Sequence, residues 1–285
     1  MNHSPIIIIG MHRSGTSMLT RFISDLGVFM GNDKSENDES KFFQNVNRWL
    51  LYQSGASWDT PLNSNNLNPY FIEKSSQILE DRLQSIWSVK YLGLNRFLKY
   101  RGILNTREPW GWKDPRNTLL LPIYKKVFPN AKIVHIYRNP IDVAVSLQKR
   151  ENKKKQQNNS KKEKLKIFFL KYERVINHSL VVEDLKKGIN LWEFYTEKSF
   201  SSSNYFDDVI HIKYEDFLED PRPVLHDLSR FLNIDPNEGL INNVVEKVNP
   251  NRSYAFRTND EYLALYNKMN NKPLMKKLGY NSIIK

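Results

Sequence analysis

Near its start the chain reads "PIIIIGMHRSGTS" (5–17), and this string constrains the fold more than any other. Four consecutive isoleucines are too apolar for a strand with one wet face and too few for a helix. They are expected to form a strand buried on both faces of a parallel sheet. Gly10 closes the run, Gly15 follows, and "TSMLTRFISDLGVFMG" then carries apolar residues at helical spacing, with Gly27 as a stop signal. Strand, glycine loop and helix in that order read as an anion cradle, in preference to an ordinary glycine turn. Successive amides of the turn point into one concavity, and the helix N-terminus adds partial positive charge. The spacing is that of G-x-x-x-x-G-K-[ST], except that Thr16 stands at the lysine position, while Arg13 supplies a forked cation and Thr16 and Ser17 supply hydroxyls. A nucleoside-triphosphate loop is therefore incomplete here.

The same grammar recurs later. "WGWKDP" reads as a short strand stopped at Pro115, followed by a helix "RNTLLLPIYKKVF", a strand "KIVHIY" and a helix "NPIDVAVSLQKR" with Asn139 at its cap and Pro140 at its first position. "VIHIKY" is a further strand, and "DPRPVLHDLSRFLNI" the helix after it. Between the first helix and Trp110, "NDESKFFQNVNRWLLYQSG", "NPYFIEKSSQILEDRLQSIW" and "LGLNRFLKYRG" read as helices, and "KLKIFFLKYERVINHSLVVEDLKKGINLWEFYTEKSF" as one long helix or two. Strands alternating with helices predict an α/β fold, three layers α/β/α around a central parallel sheet with a P-loop-like architecture, in a single domain over 1–285.

Composition narrows the function classes. The formal charge is +12, but the stretch 149–166, "KRENKKKQQNNSKKEKLK", holds nine basic residues against two acidic and so accounts for most of it. The expectation is a flexible, solvated basic loop at 150–164; without interleaved aromatics it does not read as a specific nucleic-acid surface. There is no cysteine, which excludes disulfides, thiolate catalysis and thiolate metal sites. The first residues lack a basic leader region, and no segment reaches the ~18 apolar residues of a membrane span, so the expectation is a soluble, cytoplasmic protein.

Two further strand ends carry cations. Arg138 follows "KIVHIY" directly, and Lys113 ends the strand before Pro115. Ligands of open parallel sheets sit beyond the carboxyl ends of the strands, where Arg138, Lys113 and the glycine loop would share one crevice. Taken alone, Arg138 also fits an ordinary salt bridge, and Asp114 fits a cap for the next helix.

"PIIIIGMHRSGTS" together with "KIVHIYRNPIDVAVSL" resembles the sulfotransferases that use 3′-phosphoadenosine 5′-phosphosulfate (PAPS), closer to bacterial and carbohydrate-type members than to cytosolic ones. "WKDPR" and "VIHIKYEDFLEDPRPVLHDLSRFL" extend the likeness from residue 5 to about 233. The resemblance implies that Arg13, Ser14, Gly15, Thr16 and Ser17 bind the 5′-phosphosulfate, that Arg138 and Ser146 bind the 3′-phosphate, and that Tyr214 lies near the adenine. It also implies a metal-free in-line transfer of the sulfuryl group to a hydroxyl or amine acceptor, with a carbohydrate as the expected acceptor class, and release of adenosine 3′,5′-bisphosphate (PAP). Lys113 and Arg13 would stabilise the leaving oxygen. The K-T-H-x-P histidine of cytosolic relatives is absent, since "KDPR" stands there. The base is expected among the carboxylates of "SENDESKFFQN", with Glu39 ahead of Glu36 and Gln44 where some members have an acid; Glu39 also fits a plain helix-dipole role. His12, His135 and His211 read as structural; Arg252 and Arg257 fall late in the chain, where cytosolic relatives have a basic loop over the 3′-phosphate, and the match does not assign them that role. Two other classes stay open at this point: a P-loop kinase, which would need the missing lysine and an acid-ended strand for Mg²⁺, and a basic nucleic-acid binder.

Overall fold

The isoleucine run forms β1, Ile6–Ile9, and all four side chains are buried. Ile6 and Ile8 join one apolar cluster, while Ile7 and Ile9, of opposite parity and so on the other face, are as deeply buried. Both faces of the strand are therefore covered, which is why the run shows no polar alternation. Each such isoleucine contributes about 2 kcal/mol of burial.

The structure, a computed structural model, describes residues 4–61, 67–157 and 178–283. β1 pairs in parallel with β2 (Gly111–Lys113) and β3 (Lys132–Tyr137), and β3 pairs in parallel with β4 (Val209–Lys213), giving the order β2-β1-β3-β4. Ile8 lies opposite Lys113 and Ile9 opposite His135. The parallel register thus brings Lys113, Gly10 and Arg138 out at the same carboxyl edge.

In chain order the helices are α1 (Thr16–Asp25), α2 (Lys41–Gln53), α3 (Pro69–Gln84), α4 (Val89–Tyr100), α5 (Leu121–Val127) and α6 (Pro140–Gln157). They continue with α7 (Leu185–Phe200), α8 (Tyr214–Glu219), α9 (Pro221–Leu232), α10 (Glu238–Lys247), α11 (Asp260–Met269) and α12 (Pro273–Lys277). Leu19, Phe22 and Ile23 of α1, Phe217 of α8 and Leu225 and Leu228 of α9 pack into the cluster of Ile6 and Ile8. Elsewhere Trp112 of β2 stacks on Phe43 of α2 at 3.9 Å and 5°, with Tyr124 and Phe128 against its ring. The fold is thus the expected α/β class with a central four-stranded parallel sheet.

The chain divides into two compact units, residues 1–138 with 195–253, and residues 139–194 with 254–285. The whole sheet lies in the first. In the second, Asn139 caps α6 by accepting the Ile141 and Asp142 amides, and Asp142 accepts the amide of Phe256 at 2.9 Å. Lys272 pairs with Glu193 at 3.0 Å in the same unit. Among the described residues no helix is long and apolar enough to cross a membrane.

Three expectations are corrected. The helix anticipated from Asn32 begins only at Lys41, because Asp33 takes the Phe42 amide, Ser35 and Glu39 bond each other, and Ser40 supplies the cap. Pro122 splits the helix anticipated after Pro115 into a 3₁₀ turn, Pro115–Leu119, and α5. Residues 150–157, expected in a basic loop, continue α6: Glu151 is fully buried there and accepts from Arg150, Lys154 and the Ser179 amide. Positions 158–164 of that loop, and 165–177 of the helix expected after it, lie outside the described residues.

Candidate active site

Leaving β1, the backbone turns at Gly10 (φ 131°), passes through Arg13 (φ 71°) and enters α1 at Gly15 (φ 99°). A Cβ on Gly15 would lie 2.5 Å from the Tyr214 ring, so only glycine fits both that conformation and that contact. Arg13 holds a left-handed conformation without glycine's freedom, a strain of about 1 kcal/mol of the kind found at functional turns.

No side chain caps α1, whereas Ser40 caps α2 and Asn68 caps α3. Geometry leaves the Thr16 and Ser17 amides without intrahelical acceptors, at the positive end of the helix dipole. Ser14, in the middle of the loop, is fully buried, and its hydroxyl has no hydrogen-bond partner among the described residues. An uncapped helix start, a buried hydroxyl in want of a partner and an exposed Arg13 form a loop suited to an oxyanion of the phosphate or sulfate type.

Arg138 stands at one side of this loop. Its guanidinium donates to the Arg13 carbonyl at 3.5 Å and to the Arg252 carbonyl at 2.9 Å, and lies over the Tyr214 ring at 4.7 Å. Two motifs 125 residues apart in the chain are thereby joined. Tyr214, the first residue of α8, is buried between Gly15 and Arg138. Ser146 is half-buried on α6, in the second unit. Arg257, also of that unit, donates to the Ile283 carbonyl and covers the Tyr254 ring at 4.7 Å.

Lys113 stands at the other side. It is 1 % exposed, and its ammonium donates to Ser17 Oγ at 3.4 Å, to Glu39 Oε1 at 3.4 Å and to the Asn37 carbonyl. Burial pulls the Lys113 pKa below the ordinary lysine value, against the opposing pull of Glu39 and Asp114. Glu39 is buried, its second oxygen accepting from Gln44 at 2.5 Å and lying 4.0 Å from Arg116 Nη1. Glu36 is exposed. Of the carboxylates in "SENDESKFFQN", Glu39 is therefore the one that meets the Lys113 ammonium.

Behind this pair lies a polar scaffold that the sequence reading did not assemble. Asp114 caps the 3₁₀ turn through the Arg116 amide, as anticipated, and also grips the Arg116 guanidinium at 3.0 Å. Burial disfavours the charged Arg116, but Asp114 and then Glu39 outweigh it and raise its pKa. Asn47 of α2 donates to Asp114 and Asn117 and accepts from Tyr124, while Asn117 reaches the Ile8 carbonyl. Arg116 was within reach of the sequence, inside the same "KDPR"; a lone asparagine on an amphipathic helix gives no such signal.

Three histidines meet other aromatic rings. His12 packs edge-on to Trp58 with centroids 4.9 Å apart. His135 and His211 face each other with Nδ1 atoms 2.8 Å apart, and burial pushes both pKa values down, so one neutral ring donates to the other. Among the described residues no cluster of His, Asp or Glu is arranged to hold a metal ion.

Comparisons with known proteins complete the description. Curated sequences give no match to the chain. Solved structures similar to it include the sulfotransferase domain from the curacin biosynthetic pathway, 14% identical over 94% of this chain and 98% of that one, TM-score 0.49. A sulfotransferase from Alicyclobacillus acidocaldarius is 18% identical over 91% and 98%, TM-score 0.47. The sulfotransferase domain of the Synechococcus PCC 7002 olefin synthase is 17% identical over 88% and 82%, TM-score 0.47. A model described as the sulfotransferase family matches residues 5–238, a span that contains the loop, Glu39, Lys113, Arg138 and all four strands. The chain belongs to the sulfotransferase family and is an enzyme of sulfuryl transfer.

Proposed function

We propose that the sulfuryl donor is PAPS and that the acceptor is a hydroxyl, most simply of a carbohydrate. PAPS, when bound, supplies the activated sulfuryl group and leaves as PAP. The residues that would hold it are Arg13, Ser14, Gly15, Thr16 and Ser17 at the 5′-phosphosulfate, Arg138 at the 3′-phosphate and Tyr214 toward the adenine. The loop amides and the Ser14 hydroxyl would replace the water around the anion, and Arg13 would add a permanent charge that does not titrate.

One observation carries the catalytic reading: the Lys113 ammonium bridges Ser17 of the loop and Glu39 of the next segment, at 3.4 Å each. The bridge sets an acid–base pair against the anion cradle. In this reading Glu39 accepts the proton of the attacking hydroxyl, and Lys113 and Arg13 neutralise negative charge at the loop as the leaving oxygen develops it. Gln44 and Arg116 position the Glu39 carboxylate. For the acceptor, the half-buried Trp58 beside His12 offers a ring of the kind sugars stack on.

The test is a sugar panel with radiolabelled PAPS, read as labelled product and released PAP, alongside PAP titration. Wild type should turn over at least one hydroxyl acceptor, and Glu39→Gln should bind PAP normally yet release it from PAPS at least ~10²-fold more slowly. Full turnover by Glu39→Gln would move the base elsewhere. Label appearing only on amines would remove the hydroxyl assignment.

A further inference from the structure

Large apolar side chains are exposed unevenly on this molecule. Of the ten that stand exposed among the described residues, eight lie between Trp49 and Leu98, on α2, α3, α4 and the turn between the last two. Two of them, Trp49 and Ile78, line a cavity of about 550 Å³ together with the apolar Phe42 and Leu79. That volume suits an acyl chain or a ligand of drug size.

The turn beside the cavity has a definite build. Ser85 accepts the Trp87 amide and so fixes a 3₁₀ turn, Ile86–Ser88, between two helices. This turn presents Ile86 at 70 % exposure and Trp87 at 48 %. Two cations from the cavity lining flank the indole: Arg82 lies 4.9 Å from the ring centroid and Lys90 5.0 Å. Neither cation forms an ion pair among the described residues, and Asp81 is the single carboxylate of the lining. Water rewards none of the apolar exposure, and a clamp of two unpaired cations around an exposed indole is poor packing for a protein core. An anionic lipid leaflet complements both parts. Its acyl region takes the isoleucine and the indole, whose ring favours the membrane–water interface, and its phosphates take the cations, whose long stems let the charges stay in the wet layer.

We propose that the Ser85–Lys90 turn and the adjoining groove dock the enzyme on an anionic phospholipid bilayer, with Ile86 and Trp87 inserted, Arg82 and Lys90 at headgroup phosphates, and the groove open to one acyl chain. This docking is independent of which donor or acceptor the catalytic site takes.

The experiment is flotation of the full chain with two vesicle types at physiological salt: phosphatidylcholine alone, and phosphatidylcholine with about a third phosphatidylglycerol. Wild type should float with the anionic vesicles only and shift its tryptophan emission to the blue. Ile86→Ser with Trp87→Ser, and separately Arg82→Gln with Lys90→Gln, should each lower partitioning by roughly tenfold or more. Both variants should keep the melting temperature and PAP affinity of wild type, since all four side chains are at the surface. Lys149→Gln with Lys153→Gln and Lys161→Gln should retain most of the binding. The proposal is overturned if wild type does not float. It is equally overturned if the Ile86/Trp87 variant floats unchanged while the Lys149/Lys153/Lys161 variant does not, because the basic stretch would then be the anchor. A concentration-dependent dimer abolished by Ile86→Ser/Trp87→Ser, without flotation of wild type, would assign the face to a second copy instead.

Discussion

The glycine loop and the charged cluster around Lys113 sit side by side and are built by opposite means. The loop is made by main chain: two glycines and Arg13 at positive φ, a helix start with no side-chain cap, and a buried serine, all inside residues 10–17. The cluster is made by side chains drawn from separate stretches of sequence, with Glu39 and Asn47 near α2 and Lys113, Asp114, Arg116 and Asn117 after β2. A main-chain site holds an anion whatever the neighbouring side chains are, so it suits donor binding. A side-chain cluster tunes proton affinity, so it suits the chemical step. The two should therefore fail differently: damage to the loop region in donor binding, damage to the cluster in turnover.

The largest expected effect is on the cluster. Glu39→Gln should cut turnover by about 10²- to 10⁴-fold with PAP affinity unchanged, the range for loss of a positioned general base. Steady-state rates with PAPS beside calorimetric PAP titration check it, and a parallel fall in affinity would merge the two regions into one. Lys113→Ala is a less clean test, because removing one partner of a buried ion pair destabilises the fold by roughly 3 kcal/mol.

Next comes Arg138→Ala, which removes a charged donor from beside the loop while leaving the cluster whole. PAP binding should weaken by about 2 kcal/mol. Unaltered PAP affinity would detach Arg138 from the 3′-phosphate. Of similar size, but on folding, is Asn47→Ala. It takes the acceptor from the buried Tyr124 hydroxyl and one donor each from Asp114 and Asn117, and should lower stability by about 2 kcal/mol in denaturant unfolding. If stability instead held and only turnover fell, Asn47 would belong to the chemistry.

The smallest effect is pH-dependent. His135 and His211 have pKa values lowered by burial, so the unfolded chain binds protons that the native chain refuses. Stability should fall as pH drops below the ordinary histidine value of about 6.5, toward the depressed native values. Denaturant midpoints at about pH 7.5 and about pH 5.5 measure the slope, which His211→Asn should flatten. A slope wholly unchanged in that variant would leave burial of His135 as its source and take His211 out of the account.

How much of this was legible follows the same division. The buried strands and the loop could be read because their determinants are contiguous: four isoleucines, then glycines at fixed spacing. The placement of Lys113 and Arg138 could be read because one ends a strand and the other directly follows one. Arg116, Asn47 and Asn117 could not, since their partners come from across the fold and a single polar residue on an amphipathic pattern says nothing of what it meets. The start of α2 was misjudged for a related reason: residues 32–40 offer several capping residues in a row, and only the Asp33 bond to Phe42 and its neighbours select Ser40. The basic stretch misled by composition, where one buried carboxylate, Glu151, decides that 150–157 is helix.

The central claim is that residues 10–17 form a phosphosulfate loop rather than a nucleoside-triphosphate loop. Isothermal titration of the wild-type chain with PAP, against ATP with Mg²⁺ under the same conditions, tests it most directly. Micromolar or tighter binding of PAP with far weaker binding of ATP is the predicted result; tighter binding of ATP with Mg²⁺ would contradict it.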